Sequence, residues 1–297
     1  MFPLLLLALS FFPGGENPKL KVEHPAAAAQ GQFLRVQFSP QESSQNKLNL
    51  HFLSKTVPCY AESGKGDCLA AVPADAKTGK QKLKLLIRGK TVYTAEVKIT
   101  PTWFPTEPLP LTPEKKSLLT RQDRPQEEKI IHQALATESP KKLWEGRFIQ
   151  PMDGMIESHY GERRTVDGKL RKNYYHRGLD WGAPLGTTIQ SSNHGNVILA
   201  GPFIEEGNMV MVDHGQGIVS AYLHMSEILV KAGQAVEKGD ILGKVGDTGV
   251  ANSTHLHFGT YIHGIPIDPV FWLKERFSGT HQSRSMSNEK INRRRAS

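Results

Sequence analysis

The chain of 297 residues contains only two cysteines, Cys59 and Cys68. That excludes a disulfide-stapled small scaffold and any thiolate zinc cluster, since no third or fourth sulfur is present to complete one. In an oxidising compartment the pair could clip a short loop; two free thiols are the other reading. Long apolar runs are also missing. After the first dozen residues nothing approaches the ~20 residues a transmembrane helix requires, so no integral membrane span is expected. Residues 1–12 are apolar but too short to cross. They lack the usual leading Lys or Arg, yet carry a weak Ala8-x-Ser10 cleavage pattern, so residues 1–17 are expected to be an export signal. Acidic residues are the scarcer charge, 29 against 37 Lys and Arg, for a net charge of +8. The excess favours anionic partners or is simply a solvated basic surface. No aromatic-basic motif accompanies it, so nucleic acid is not expected.

What is present is an ordinary globular composition, 38% hydrophobic and 22% charged, which excludes a disordered chain. Residues 18–104 alternate apolar and polar with period two. Leu34, Val36 and Phe38 share a face, as do Leu48, Leu50 and Phe52, then Leu83, Leu85 and Ile87. Beyond Gly89, Tyr93, Ala95, Val97 and Ile99 do the same. Short turns between half-buried strands indicate an antiparallel β domain, expected here to be an immunoglobulin-like sandwich. Residues 105–145 read as a connector, because Pro105, Pro108, Pro110 and Pro113 argue against continued strand pairing. A short helix is expected after Pro125, ending by Pro140. Residues 146–273 form a second domain with frequent glycine and eight of the twelve histidines. Residues 274–297 read as a basic, disordered tail.

Three short patterns in 146–273 carry chemistry. In Thr254-His255-Leu256-His257-Phe258 a strand would place both histidines on one face, one able to bind a metal and the other to move protons. The bland reading is a pair of surface histidines. In His176-Arg177-Gly178-Leu179-Asp180 the glycines and Pro184 argue against a helix, so a loop running into a strand would converge imidazole and carboxylate. With one histidine of the later pair they make three donors, the number a catalytic zinc site has besides its open position. Alone, that motif reads as a loop histidine and a turn aspartate, and His224 in Ala221-Tyr222-Leu223-His224 reads as structural.

Together, in this order, the three patterns resemble the lysostaphin/LytM-type zinc metallopeptidases of bacterial cell walls. That family shares an H-x-x-x-D, a Y-x-H and a terminal H-x-H. Residues 158–164 and 239–249 are similar to it as well. Gly259 departs from it, since Glu often follows H-L-H-F there. The resemblance implies a C-terminal antiparallel β metallopeptidase domain with Zn2+ held by His176, Asp180 and His257, and with His224 and His255 as unligated catalytic histidines. It implies an endopeptidase acting on peptidoglycan, in keeping with the expected export to the envelope; a separate expectation is that the N-terminal domain or the connector covers the groove until the wall is engaged. The alternative is a non-catalytic wall-binding protein that activates a separate hydrolase. A carrier domain, suggested by the turn at 230–240, lacks the exposed lysine hairpin such domains need. Protein partners are not indicated.

Overall fold

The computed structural model describes residues 20–40, 48–62, 65–171 and 174–274. The expected export signal, and all of the expected basic tail except Lys274, lie outside the described residues. Alternation in the N-terminal third becomes β1 (Leu20–Glu23), β2 (Ala27–Ala29), β3 (Phe33–Pro40), β4 (Leu48–Phe52), β5 (Lys55–Pro58), β6 (Tyr60–Glu62), β7 (Lys65–Ala71), β8 (Gly79–Ile87) and β9 (Lys90–Thr100). They form one sheet of order β1-β3-β7-β6 and a second of order β2-β9-β8-β4-β5. Leu34, Val36, Phe38 and Cys68 from the first meet Leu50, Phe52, Leu83, Leu85, Val97 and Ile99 from the second in a single buried cluster. This follows from period two: each strand gives alternate side chains to the shared interior. Cys59 and Cys68 form a disulfide at the margin of that cluster.

The connector is more structured than its prolines suggest. It contains β10 (Thr106–Pro108), α1 (Pro113–Leu118) and α2 (Arg124–Leu135). The chain continues through β11 (Met155–Ser158), β12 (Arg163–Val166) and β13 (Lys169–Leu170), and β10 pairs in parallel with β12. Proline is tolerated because β10 is an edge strand whose outer side needs no donor. Thr112 caps α1, accepting from the Lys115 amide, and Pro125 sits in the first turn of α2.

The remaining elements are β14 (Gly178–Gly182), β15 (Thr188–Gln190), β16 (Gly195–Phe203), β17 (Gly207–Gly215), β18 (Ile218–Met225), β19 (Glu227–Ile228), β20 (Ala235–Val236), β21 (Ile241–Lys244), β22 (His255–Ile262), β23 (Ile265–Ile267) and α3 (Val270–Lys274). The main sheet runs β11-β14-β22-β18-β17-β16-β20, with β23 on β22. One face buries Leu179, Trp181, Val210, Val212, Tyr222, Leu256 and Phe258 under the small sheet β15-β21-β19. The other face carries Met209, Met211, Val219, Ala221 and Tyr261, covered by Ile131 and Leu135 of α2. Mostly-β architecture therefore holds throughout the described residues.

The two halves are packed together. Phe33 stacks on Trp272 at 5.2 Å, and Leu69 and Ala71 join Trp144, Phe148, Ile218 and Ile262 in one cluster. Phe104, at the end of the N-terminal domain, packs against Gly161, where any Cβ would fall 2.1 Å from its ring.

Behind the main sheet, His214 is fully buried. Its Nδ1 meets the His194 carbonyl at 2.7 Å and its Nε2 meets Ser220 Oγ at 2.8 Å. Burial lowers its pKa from 6.5 to about 4. A depressed histidine contributes stability that is complete above pH 6.5 and is lost as pH falls toward 4. Urea denaturation at pH 7 and pH 5 is expected to show a drop that His214→Asn reduces by about 2 kcal/mol. An identical drop in the variant would place the pH sensitivity elsewhere.

Candidate metal centre

The centre is assembled by register. In the pairing of β14 with β22, Asp180 stands directly opposite His257. Side chains alternate, so both point to the face opposite Leu179, Leu256 and Phe258. His176 precedes β14 in the loop. It is fixed there by its amide to the Glu162 carbonyl and by its own carbonyl accepting from Gly161, both at 2.8 Å. The result is three donor atoms in mutual contact. His176 Nε2, Asp180 Oδ1 and His257 Nδ1 are each 2.9 Å from the other two. Gly178 makes this approach possible, because a Cβ there would sit 2.8 Å from His257 Nε2.

His255, two residues before His257 on the same face, places Nε2 3.8 Å from Asp180 Oδ1. His224 arrives by a different device. Simple alternation along β18 would send it to the core side with Tyr222. Between the pairs Asn208↔Met225 and Val210↔Tyr222, however, β18 carries one extra residue. This bulge, with His224 at φ 63°, reverses the phase. Tyr222 and Met225 both stay in the core, and the His224 ring comes to 4.9 Å from that of His255. A left-handed backbone at a non-glycine residue is strain held by its surroundings. Asn adopts that conformation readily and Ala does not. His224→Ala is therefore expected to destabilise the protein by about 1 kcal/mol more than His224→Asn in urea denaturation. Equal losses would mean the strain is not a real term.

Backbone carbonyls set the tautomers. His176 Nδ1 faces the His159 carbonyl at 2.8 Å, His224 Nδ1 the Thr248 carbonyl at 2.9 Å, and His255 Nδ1 the Ser253 carbonyl at 2.8 Å. A carbonyl only accepts, so each Nδ1 carries the proton and each Nε2 keeps a lone pair. Behind the donors lies a pair that the sequence did not reveal as functional. Glu162 and Arg164 are buried and 3.0 Å apart. Arg164 also stands 3.8 Å from Asp180 Oδ2, while Glu162 accepts from the His159 amide at 2.7 Å. Asp180 and the loop that orients His176 are thus braced by one charge pair.

Burial alone would raise the Asp180 carboxyl, but His176 and His257 beside it outweigh that and hold it well below the usual range. Burial lowers His257, partly offset by Asp180. Burial, reinforced by His255 and His257, takes His224 down to about 3. A carboxylate and neutral imidazoles are the protonation states that divalent metals require. Two nitrogens and one carboxylate oxygen also match zinc's preferences, and donors 2.9 Å apart need little widening toward the ~3.3 Å that tetrahedral bonds of ~2.0–2.1 Å set. The donor set fits. The sequence-expected residues His176, Asp180 and His257 meet at one point, with His224 and His255 beside it. His159, His194 and His263 do not join it. Nor does Tyr175, which packs on Tyr160 at 5.6 Å.

Fold and site together present, on a β-sheet, a cluster of three donors able to hold a metal, with two further histidines alongside. Residues 174–269 match the family model described as peptidase family M23. The chain carries a family M23 domain of the lysostaphin/LytM type. A crystal structure from Pseudomonas aeruginosa assigned to peptidase M23 superimposes with a TM-score of 0.61 at 28% identity, over 82% of this chain and 94% of that one. Peptidoglycan DD-endopeptidase ShyA of Vibrio cholerae is 38% identical over 115 residues, 39% of this chain and 26% of the relative. DD-carboxypeptidase/endopeptidase Mpg of Neisseria meningitidis is 37% identical over 135 residues, 42% of this chain and 31% of the relative. The matches thus span about a quarter to a third of these curated relatives' length.

Proposed function

We propose that this chain is a zinc endopeptidase that hydrolyses peptide crosslinks of bacterial peptidoglycan. The observation that carries the reading is the donor cradle with two unligated histidines beside it, in a domain whose relatives are named peptidoglycan endopeptidases. His176, Asp180 and His257 would hold the zinc, which when bound supplies a polarised, readily deprotonated water. His255 Nε2, the nearer free lone pair, would take the proton of the attacking water as its oxygen bonds to the scissile carbonyl carbon. The proton then held by His255 would pass to the amine nitrogen as the C–N bond breaks, directly or by way of the adjacent His224 ring. The complete set of five residues speaks against the non-catalytic wall-binding reading. The names of ShyA and Mpg favour a bond between D-amino acids. An exported, envelope location fits such a substrate. Among the described residues no helix is long and apolar enough to cross a membrane.

We read residues 18–104 as an immunoglobulin-like accessory domain, 105–145 as its connector and 146–273 as the peptidase domain. The two N-terminal sheets around one core support the first. The connector has a further role in this reading. Adjacent lysines of α1 grip the two walls flanking the donors. Lys115 Nζ meets the Asp247 and Gly249 carbonyls at 2.7 and 2.8 Å, either side of the Thr248 that orients His224. Lys116 Nζ meets Asp167 Oδ1 at 2.6 Å, in the turn of the β12–β13 hairpin that bears Arg164. Arg124 of α2 binds Glu205 at the β16–β17 turn, and Glu127 accepts the Ile204 amide at 2.6 Å. His176, His224, His255 and His257 are all under 9% exposed. The connector is a strap across the groove, and the form described here is latent.

Release of dye from labelled sacculi tests the reading. Zinc-loaded protein is expected to release it, a chelator to stop it, and added zinc to restore it. Release that ignores the chelator would end the proposal.

A further inference from the structure

Cationic side chains around the donors are nearly all engaged. Arg164 has Glu162, Arg171 has Glu205 at 3.2 Å, Arg124 shares Glu205, Lys115 has two carbonyls and Lys116 has Asp167. Arg177 differs. It follows His176 directly, is exposed, and makes no hydrogen bond or ion pair among the described residues; its guanidinium lies 6.0 Å from the Tyr174 ring centre. Its backbone is not loose. The preceding residue is tied at both N–H and carbonyl, and the following Gly178 pairs with Gly259. A fixed Cα therefore carries, one residue after the donor His176, a guanidinium that no carboxylate among the described residues neutralises.

The adjoining sheet face explains why no internal carboxylate answers it. Gly259 lies between His257 and Tyr261 on the groove face of β22, across from Gly178 and Ala221. A Cβ at 259 would stand 3.4 Å from the Arg177 carbonyl and 3.3 Å from the Tyr261 hydroxyl, so an acidic side chain there would lie beside both. Glycine leaves that position empty of charge. Tyr261 is 7% exposed and its hydroxyl makes no hydrogen bond among the described residues. Burial pushes it up to about 12, with Arg177 pulling the other way, so it remains a donor at neutral pH. On the opposite wall Glu205 already serves two arginines, and burial with Glu205 nearby raises Glu206 to about 7.

We propose that Arg177, with the Tyr261 hydroxyl, receives a free carboxylate of the substrate peptide close to the scissile bond, and so determines specificity. The inference rests on the peptidase reading above. One extended residue spans ~3.3–3.6 Å, so a guanidinium on the residue after His176 reaches a carboxylate within one or two residues of the cleaved bond. Guanidinium and carboxylate match as a two-point, charge-assisted pair, which gives geometric selection as well as attraction. A neutral amide offers one acceptor and no charge.

The test uses full-length, zinc-loaded protein and two crosslinked peptides differing only in whether the carboxylate nearest the scissile bond is free or amidated. Wild type is expected to favour the free acid by about 10–100-fold in kcat/KM, mainly through KM. Arg177→Met should bring the two substrates to the same kcat/KM, and Arg177→Lys should keep part of the preference. Gly259→Glu, which supplies an internal carboxylate, should also erase it. Equal cleavage of both peptides by wild type, or a preference that survives in Arg177→Met, would overturn the assignment. If neither wild type nor the Lys115→Ala/Lys116→Ala protein cleaves either peptide, the peptidase reading fails instead. Anisotropy binding then decides the carboxylate site: tighter binding of the free acid, lost in Arg177→Met, supports it, and equal binding overturns it.

Discussion

His255→Ala is expected to keep one zinc per chain and to lose turnover by about 10²–10⁴-fold, the range a positioned proton-transfer group contributes. The separation of effects follows from the geometry. His176 Nε2, Asp180 Oδ1 and His257 Nδ1 touch one another at 2.9 Å, whereas His255 Nε2 stands off Asp180 at 3.8 Å with its other nitrogen fixed on the Ser253 carbonyl. Removing it leaves the donor set whole and takes away the nearest lone pair. His257→Ala removes a donor and should lose both zinc and activity. Metal content by elemental analysis, measured with initial rates on the same samples, separates the two. A His255→Ala protein that loses its zinc would make His255 a ligand. One that keeps its rate within about threefold would move the base role to His224.

Lys115→Ala/Lys116→Ala is expected to be more active than wild type, because α1 holds the groove walls together through these two side chains. A charged hydrogen bond is worth about 1.5–3 kcal/mol where water is excluded, and an exposed ion pair about 0–1. The two grips together amount to about 2–3 kcal/mol at these partly exposed positions. That converts to a roughly 30- to 150-fold rise in the open fraction, and in rate while the open form is scarce. Lys129→Ala, on the exposed side of α2, serves as a control expected to match wild type. Opening is expected in the connector and not between the halves, which are fastened by the Phe33–Trp272 stack and by Tyr160, whose hydroxyl joins the Ala74 amide at 3.1 Å to the Pro266 carbonyl at 2.9 Å. A double variant that cleaves at the wild-type rate would remove the strap from the account.

The parts legible in the sequence were those governed by short periods. Alternation puts His255 and His257 on one face with Leu256 and Phe258 on the other, and the glycines around 178–182 fit a loop entering a strand. Asp180 opposite His257 then needs only the pairing of β14 with β22. What escaped depends on departures from period or on distant partners. His224 reaches the centre through a bulge and a left-handed φ, which the sequence Tyr222-Leu223-His224 does not announce. Glu162 and Arg164 look like surface charges until their mutual burial is seen. Pro105 and Pro108 read as breaks, yet residues 106–108, Pro108 included, pair with β12 as an edge strand. The grip of Lys115 spans more than a hundred residues, and no local pattern carries it. Cys59 and Cys68, ambiguous as a spacing, resolve as a disulfide once β7 places Cys68 in the core and Cys59 packs at its margin.

The most direct measurement is digestion of purified sacculi by the zinc-loaded full-length protein, with His255→Ala alongside and the released peptides identified by mass spectrometry. The account predicts new amine termini at one crosslink type, between D-amino acids, in the wild-type digest and not in the variant. Sacculi left intact by a zinc-bound wild type and by the Lys115→Ala/Lys116→Ala protein would contradict it.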